Sequence, residues 1–418
     1  MTMAKCSEGV DLDVRIQTFM TRWAAETPAV AALLSVSEVE QVSAGYGHTL
    51  REIGQQPATW LDTAGRASAV VDELTKLGEG RDVVVVTGSG SSQFAGDCLA
   101  PALQRNLAAT VRAIPSGQLI VDRQGVLPAA KRCLVVSLAR SGDSPESCAA
   151  VDALLADDPA CRHLVITCNA QGQLAESYRH IGSVRCLLLN PRTCDQSLVM
   201  TSSFTNMVIA GLCLGSAEDA QRYMRTVSSL SEMAQAQMLQ YTQVLAELAT
   251  RPFQSVLFLG DGCRHGAARE SALKMLEITD GRISTQAETF LGVRHGPMCA
   301  IHSDTLVVAF LSADPMARAY QLDLLAELRE KSLGLGRIVV GEKLPPNILE
   351  YGDWAINRPS KPDVDDTNAA VLDAIVGQLL AFFRSLHDGL RPDSPSVDGV
   401  IQRVVSGFRL HQNQGVQA

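Results

Sequence analysis

Short unbroken apolar runs, rather than alternating ones, dominate the hydrophobic pattern of the chain. Asp82-Val-Val-Val-Val-Thr-Gly88-Ser-Gly90 reads as a buried strand delivering a glycine-rich loop, with a helix from Gln93 onward. Ser255-Val-Leu-Phe-Leu-Gly260-Asp-Gly262 reads the same way, and its helix is expected from about Gly266. Further strands are predicted near 110–114, 132–138, 163–167 and 184–189, and then near 282–286, 305–311, 337–340 and 353–356. Continuous apolar strands separated by helical segments predict parallel sheets covered on both faces.

The pattern repeats. Gly260 lies 172 residues after Gly88, and Leu306-Val307-Val308 lies 172 after Leu134-Val135-Val136. Two landmarks sharing one offset indicate a duplication. The expected fold class is α/β, with two tandem doubly wound parallel-sheet domains of flavodoxin type. Residues 1–60 are expected to be helical, with Pro57 as a break, before a first domain over 61–216. Residues 217–250 are polar and almost free of Gly and Pro, which predicts a long connecting helix, and a second domain follows over 251–388. The tail, 389–418, opens with Pro392, Pro395 and Gly399, and its apolar stretch from Val400 to Leu410 is expected to pack on the body.

Composition narrows the function classes. A chain of 418 residues suits two domains. A formal charge of −9 with no basic run longer than a pair argues against a nucleic-acid surface. Residues 1–20 lack the basic start and apolar core of a secretory signal, and no apolar stretch reaches the roughly 18 residues of a membrane span. The eleven cysteines form no Cys-x-x-Cys pair, and Cys133, Cys168 and Cys213 sit in apolar segments. Reduced, packed thiols in a cytoplasmic protein are expected. Neither the cysteines nor the eight histidines show metal-ligand spacing, so no metal is expected, and no other cofactor.

Candidate chemistry collects where strands end and helices begin. Gly88-Ser89-Gly90-Ser91-Ser92 and Ala139-Arg140-Ser141-Gly142-Asp143-Ser144-Pro145-Glu146 both occupy such positions. Backbone N–H groups there are unpaired and the helix dipole favours an anion. Ser91, Ser92, Ser141 and Ser144 add neutral donors, and Arg140 adds a charged fork suited to phosphate. Taken singly, each loop reads equally as tight turns and a helix cap, Ser144 before Pro145. Two of them at adjacent strand ends favour a phosphate. The counterpart in the second copy, Ser312-Ala313-Asp314-Pro315, has lost the arginine and the glycine, so one phosphate site per chain is expected. The second copy instead carries Glu270-x-x-x-Lys274-x-x-Glu277 on one helical face, which reads either as an exposed ion pair or as a base tuned by its neighbours. His295, in Arg294-His295-Gly296-Pro297, is a further proton-transfer candidate.

Together these features resemble the sugar isomerase (SIS) family of phosphosugar isomerases and binders, over nearly the whole chain. Within it they are most similar to the tagatose-6-phosphate ketose/aldose isomerase and galactosamine-6-phosphate deaminase/isomerase group. Thr49-Leu-Arg-Glu52-Ile-Gly-Gln-Gln56-Pro57, the serine loop to Ser147, the Glu270–Glu277 helix and the Arg294–Pro297 loop follow in the family's order. Leu390-Arg-Pro-Asp-Ser-Pro and Arg403-Val-Val-Ser-Gly407 look like the group's tail. The resemblance to the isomerase domain of glucosamine-6-phosphate synthase implies Glu277 as the base between C1 and C2, with Lys274 and Glu270 beside it. It implies His295 as the ring-opening histidine given by a neighbouring subunit, hence a dimer or larger assembly. It also implies Ser91, Ser92, Ser141 and Ser144 as phosphate ligands. Ala139 and Arg140 depart from that synthase's serine and glutamine, and two extra residues separate Glu277 from His295. The expected activity is deaminating isomerisation of an amino-sugar 6-phosphate. Simple isomerisation of an unaminated sugar phosphate and non-catalytic sensing are its rivals, and His411 is a candidate to reach the site.

Overall fold

The computed structural model describes residues 4–127, 132–158, 160–216, 219–345, 348–349, 352–396, 398–405 and 409–411. Two five-stranded parallel sheets form its frame. The first contains β1 (Val83–Gly88), β2 (Thr110–Pro115), β3 (Cys133–Ala139), β4 (Arg162–Thr167) and β5 (Val184–Leu188) in the order β2-β1-β3-β4-β5. The second contains β6 (Ser255–Leu259), β7 (Ser284–Glu288), β8 (Thr305–Phe310), β9 (Gly336–Glu342) and β10 (Trp354–Arg358), in the order β10-β9-β8-β6-β7. Read from its other edge this is the same winding.

The repeat offset holds in the pairing register. Val84 faces Leu134 in the first sheet and Val256 faces Leu306 in the second, 172 residues on at both positions. The predicted strands coincide with the observed ones to within two residues. The largest shift is β7, where the apolar Ile283 suggested an earlier start than the polar, half-buried edge strand Ser284–Glu288 has. Both domain helices begin earlier than expected, at Ser91 and Cys263, because Gly90 (φ 56°, ψ −127°) and Gly262 (φ 55°, ψ −127°) make identical left-handed entries. Only glycine enters such a turn without strain.

The connecting helix spans Ala220–Ala249. Pro57 starts a helix rather than breaking one: it lies in the first turn of Gln56–Ser68, where its missing N–H costs nothing. That helix runs past position 60. The helix Ala370–His387 corrects the sequence reading of membrane potential, since its 18 residues, mean hydropathy 1.3, are long and apolar enough to cross a membrane. It is instead a core helix, 89% buried, packed against the Ala220–Ala249 and Cys263–Ile278 helices. Its polar Asp373 and Gln378 are fully buried and partnered. The apolar tail is a second correction. Val400, Val405 and Leu410 are exposed within the chain, and Gly407 lies outside the described residues. The tail is held by polar contacts instead. Cys133, Cys168 and Cys213 are buried free thiols.

Candidate active site

The two lobes meet through helices Ser91–Asn106 and Cys263–Ile278, which run antiparallel. Ser91, at the start of one, touches Lys274, near the end of the other, while Asp97 pairs with Arg269 midway. The approach is close enough that a Cβ on Gly266 would lie 2.6 Å from the Cys98 backbone nitrogen. This arrangement corrects the expected placement of the titratable cluster. Glu270, Lys274 and Glu277 do not open the second lobe's own binding edge. They run from the middle of their helix to its end, and Lys274 is delivered onto the carboxyl edge of the first sheet, beside its glycine-serine loop.

Lys274 is the centre of that meeting point. Its Nζ lies 2.5 Å from Glu277 Oε2, 3.1 Å from Ser91 Oγ and 3.5 Å from Glu270 Oε1. Lys274 and Glu270 are fully buried, while Glu277 keeps 23% of its side chain exposed. Burial alone favours a neutral lysine, but the carboxylates of Glu270 and Glu277 outweigh it and keep the ammonium charged. Glu270 goes the other way: burial pushes its carboxyl up to about 8, with Lys274 pulling against it. The open member, Glu277, is the one a ligand can reach.

The glycine-serine loop and the serine loop lie next to one another on β1 and β3, the strands at the topological switch point. Ser91 and Ser92 are buried in the first helical turn, and a Cβ on Gly88 would lie 2.6 Å from Ser92 Cβ. Ser89 and Ser116 hydroxyls are 2.6 Å apart at the same edge, a pair the sequence reading missed. In the serine loop, Gly142 turns with φ 72°, Ser141 Oγ accepts from Asp143 N (3.2 Å), and Asn169 donates to Ser141 O (2.9 Å). Ser144 occupies the cap position, but its hydroxyl donates to Glu146 (2.5 Å) instead of capping the helix.

Arg140 is not the open fork the sequence suggested. It is buried, and it donates to Ser197 O (3.3 Å), Leu198 O (2.8 Å) and Arg403 O (2.6 Å). Its guanidinium ties the serine loop to the 194–198 segment and the tail. That segment is itself anchored by two buried carboxylates. Asp195 accepts from Thr201 N (2.8 Å), Ser202 N (3.1 Å) and Ser203 N (2.9 Å), starting the helix Ser202–Leu212. Glu52 accepts from Gln196 N, Ser197 N and Ser197 Oγ, and burial together with nearby Asp195 pushes it up to about 8. Arg403 donates to Asp195 O at 2.9 Å. An acid six residues before Thr201-Ser-Ser203 was the readable signal for the first anchor.

His295 is not brought to this cluster. It lies exposed in a short helical turn beyond the carboxyl end of β7, whereas Glu277 ends a helix that begins at the carboxyl end of β6. The 14 residues from Cys263 to Glu277 put roughly 20 Å between those levels. His411 is exposed on the tail. The second lobe's equivalent cup is filled: Arg264, 172 residues after Ser92, pairs with Asp366 (3.0 Å) and Asp373 (2.7 Å), and Ser312 bonds to Asp366. Among the described residues no group of three or more His, Cys, Asp or Glu side chains is disposed to hold a metal ion.

Known proteins are similar to this chain over most of its length. A Streptomyces coelicolor protein, provisionally named D-galactosamine-6-phosphate deaminase AgaS, is 40% identical over 378 residues, covering 87% of this chain and 95% of its own length. The chain belongs to the AgaS group of the sugar isomerase family. An Escherichia coli D-galactosamine-6-phosphate deaminase AgaS is 34% identical over 369 residues, with the same coverage of both chains. The solved structure of tagatose-6-phosphate ketose/aldose isomerase from E. coli superposes with a TM-score of 0.79 at 32% identity, over 88% of this chain and 97% of that one. No protein-family model matches the chain.

Proposed function

We propose that the chain converts D-galactosamine 6-phosphate and water to D-tagatose 6-phosphate and ammonia. The observation that carries this reading is Lys274, which joins a hydroxyl of the anion-binding edge, Ser91, to the accessible carboxylate Glu277. The 6-phosphate sits on the loops after β1 and β3, held by Ser91, Ser92, Ser141, Ser144 and helix-start N–H groups. With the ring opened, Glu277 takes the C2 proton of the amino-aldehyde, leaving an enaminol, and returns it to C1. The product is a C2 imine; water adds at C2, ammonia leaves, and the ketose phosphate remains. Lys274 stays paired with Glu277 and positions its carboxylate, and the C1 carbonyl acidifies the C2 proton. His295 assists ring opening from a neighbouring subunit, which agrees with its distance from Glu277 within one chain. The nearby deaminases support the amino-sugar substrate. The E. coli isomerase supports a second reading, ketose/aldose isomerisation without loss of nitrogen.

Ammonia release decides between them. Purified protein with galactosamine 6-phosphate is expected to release one ammonia per ketose formed, with glucosamine 6-phosphate as the epimer control. Glu277→Gln is expected to lower that rate by at least about 100-fold, with phosphosugar affinity kept. Near wild-type turnover by this variant refutes the mechanism; turnover without ammonia refutes the deaminase reading alone.

A further inference from the structure

The antiparallel helices have a second pair of ends. At the carboxy-terminal end of Ser91–Asn106 a cavity of about 640 Å³ opens between the first lobe's underside, the start of the Ala220–Ala249 helix and the 363–368 loop of the second lobe. The repeat relates this place to the catalytic cluster: subtracting 172 from Glu270, Lys274 and Glu277 gives Cys98, Ala102 and Arg105. The proton-transfer chemistry is gone, and a cation stands where the base would be.

Arg105 lines this cavity together with Arg222 and Arg81. Arg105 and Arg222 are exposed, and among the described residues neither side chain is engaged in an ion pair or hydrogen bond, while the Arg81 side chain donates to Leu77 O at 3.1 Å. Two of the bordering acids are committed elsewhere. Asp219 accepts from Arg222 N (2.7 Å) to cap its helix, and Asp365 accepts from Thr367 N (2.8 Å) and Thr367 Oγ1 (2.5 Å). The remaining acids, Glu79 and Asp363, are acceptors suited to hydroxyl groups.

We infer that this cavity is a second binding site, for a phosphorylated, hydroxyl-rich small molecule that is held and not transformed. The guanidinium groups take the phosphate and the free carboxylates take hydroxyls. The inference does not depend on which reaction the first site performs, since it stands on the cavity and its unpaired cations. It differs from the lost strand-end cup, which Arg264 fills.

Equilibrium dialysis of the full chain against sorbitol 6-phosphate tests it, because this probe has no carbonyl and cannot be turned over. Wild type is expected to bind two equivalents per chain. Arg105→Glu and, independently, Arg222→Glu are expected to weaken one equivalent by at least about tenfold and to leave the other unchanged. Inorganic phosphate is expected to displace the second equivalent. A single wild-type equivalent that both variants leave unchanged, two undisturbed equivalents in both variants, or an Arg105- and Arg222-dependent equivalent that phosphate does not displace each overturn the proposal. Ammonia release is no part of the readout, so failure here and failure of the proposed activity remain distinct.

Discussion

Lys274 holds its charge in a place where burial opposes it, and the two glutamates on its own helix are what tip the balance. Glu270, with no water to solvate it, moves toward its neutral form, leaving Glu277 as the ammonium's close partner. His163 presents the same physics without a partner. Both ring nitrogens are buried in β4 without a hydrogen bond among the described residues, and burial drops its pKa from 6.5 to about 4. The unfolded chain therefore takes up this proton at a higher pH than the fold does. His163 contributes stability fully present above about pH 6.5 and lost as pH falls toward 4. Replacement by leucine is expected to flatten that part of the stability profile, measured as urea midpoints between pH 4 and 7. An unchanged difference between wild type and His163→Leu across that range would show the ring to be protonated in the fold. At this scale the sequence was most informative where chemistry is local: serines after glycine, and three titratable groups at helical spacing. It was least informative for Arg140, whose partners lie 57, 58 and 263 residues away.

Between elements, the decisive contact is the crossing of Ser91–Asn106 with Cys263–Ile278. Gly266 allows it, the Asp97–Arg269 pair sits near its middle, and the Lys274–Ser91 bond depends on its geometry. Gly266→Ala should cost about 1–3 kcal/mol, the usual penalty of overpacking a tight interface. It should also slow turnover, because the two lobes must part slightly. Parallel denaturation and activity measurements check both, and full activity with full stability would mean the crossing is not needed. The central strands were legible because they are continuous apolar runs, with Gly88 and Gly260 closing β1 and β6, and the offset of 172 holds in the β1–β3 and β6–β8 pairings. The antiparallel meeting was not legible. The sequence shows the serines at the start of one helix and the titratable groups toward the end of the other, but nothing in it shows that these two ends meet.

Across the whole molecule, the tail ties the parts together. Asp393 accepts from His48 N (3.1 Å), Thr49 N (2.7 Å) and Thr49 Oγ1 (2.7 Å), holding the helix Gly47–Gly54 that carries Glu52. Glu52 in turn holds Ser197, whose carbonyl holds Arg140 beneath the serine loop. Asp393→Ala is expected to cost about 1–2 kcal/mol, as loss of a helix cap does, and to raise the KM for phosphosugar. Asp398→Ala, five residues further on, serves as a control expected to change neither. The tail's proline pattern was visible in the sequence, but its role was not, since polar contacts to distant backbone leave no periodic trace.

Those contacts also set a timetable. A ribosome completes both sheets before it releases Asp393 and Arg403, so a nascent chain already holding Ser91, Lys274 and Glu277 still lacks the clasps under the serine loop. A message cut short after the Ala370–His387 helix would yield a folded body with an unsupported anion edge. On the proposed reading of the site, capture of sugar phosphate is expected to be a late event in the making of the protein, tied to completion of the tail and not to the folding of either lobe.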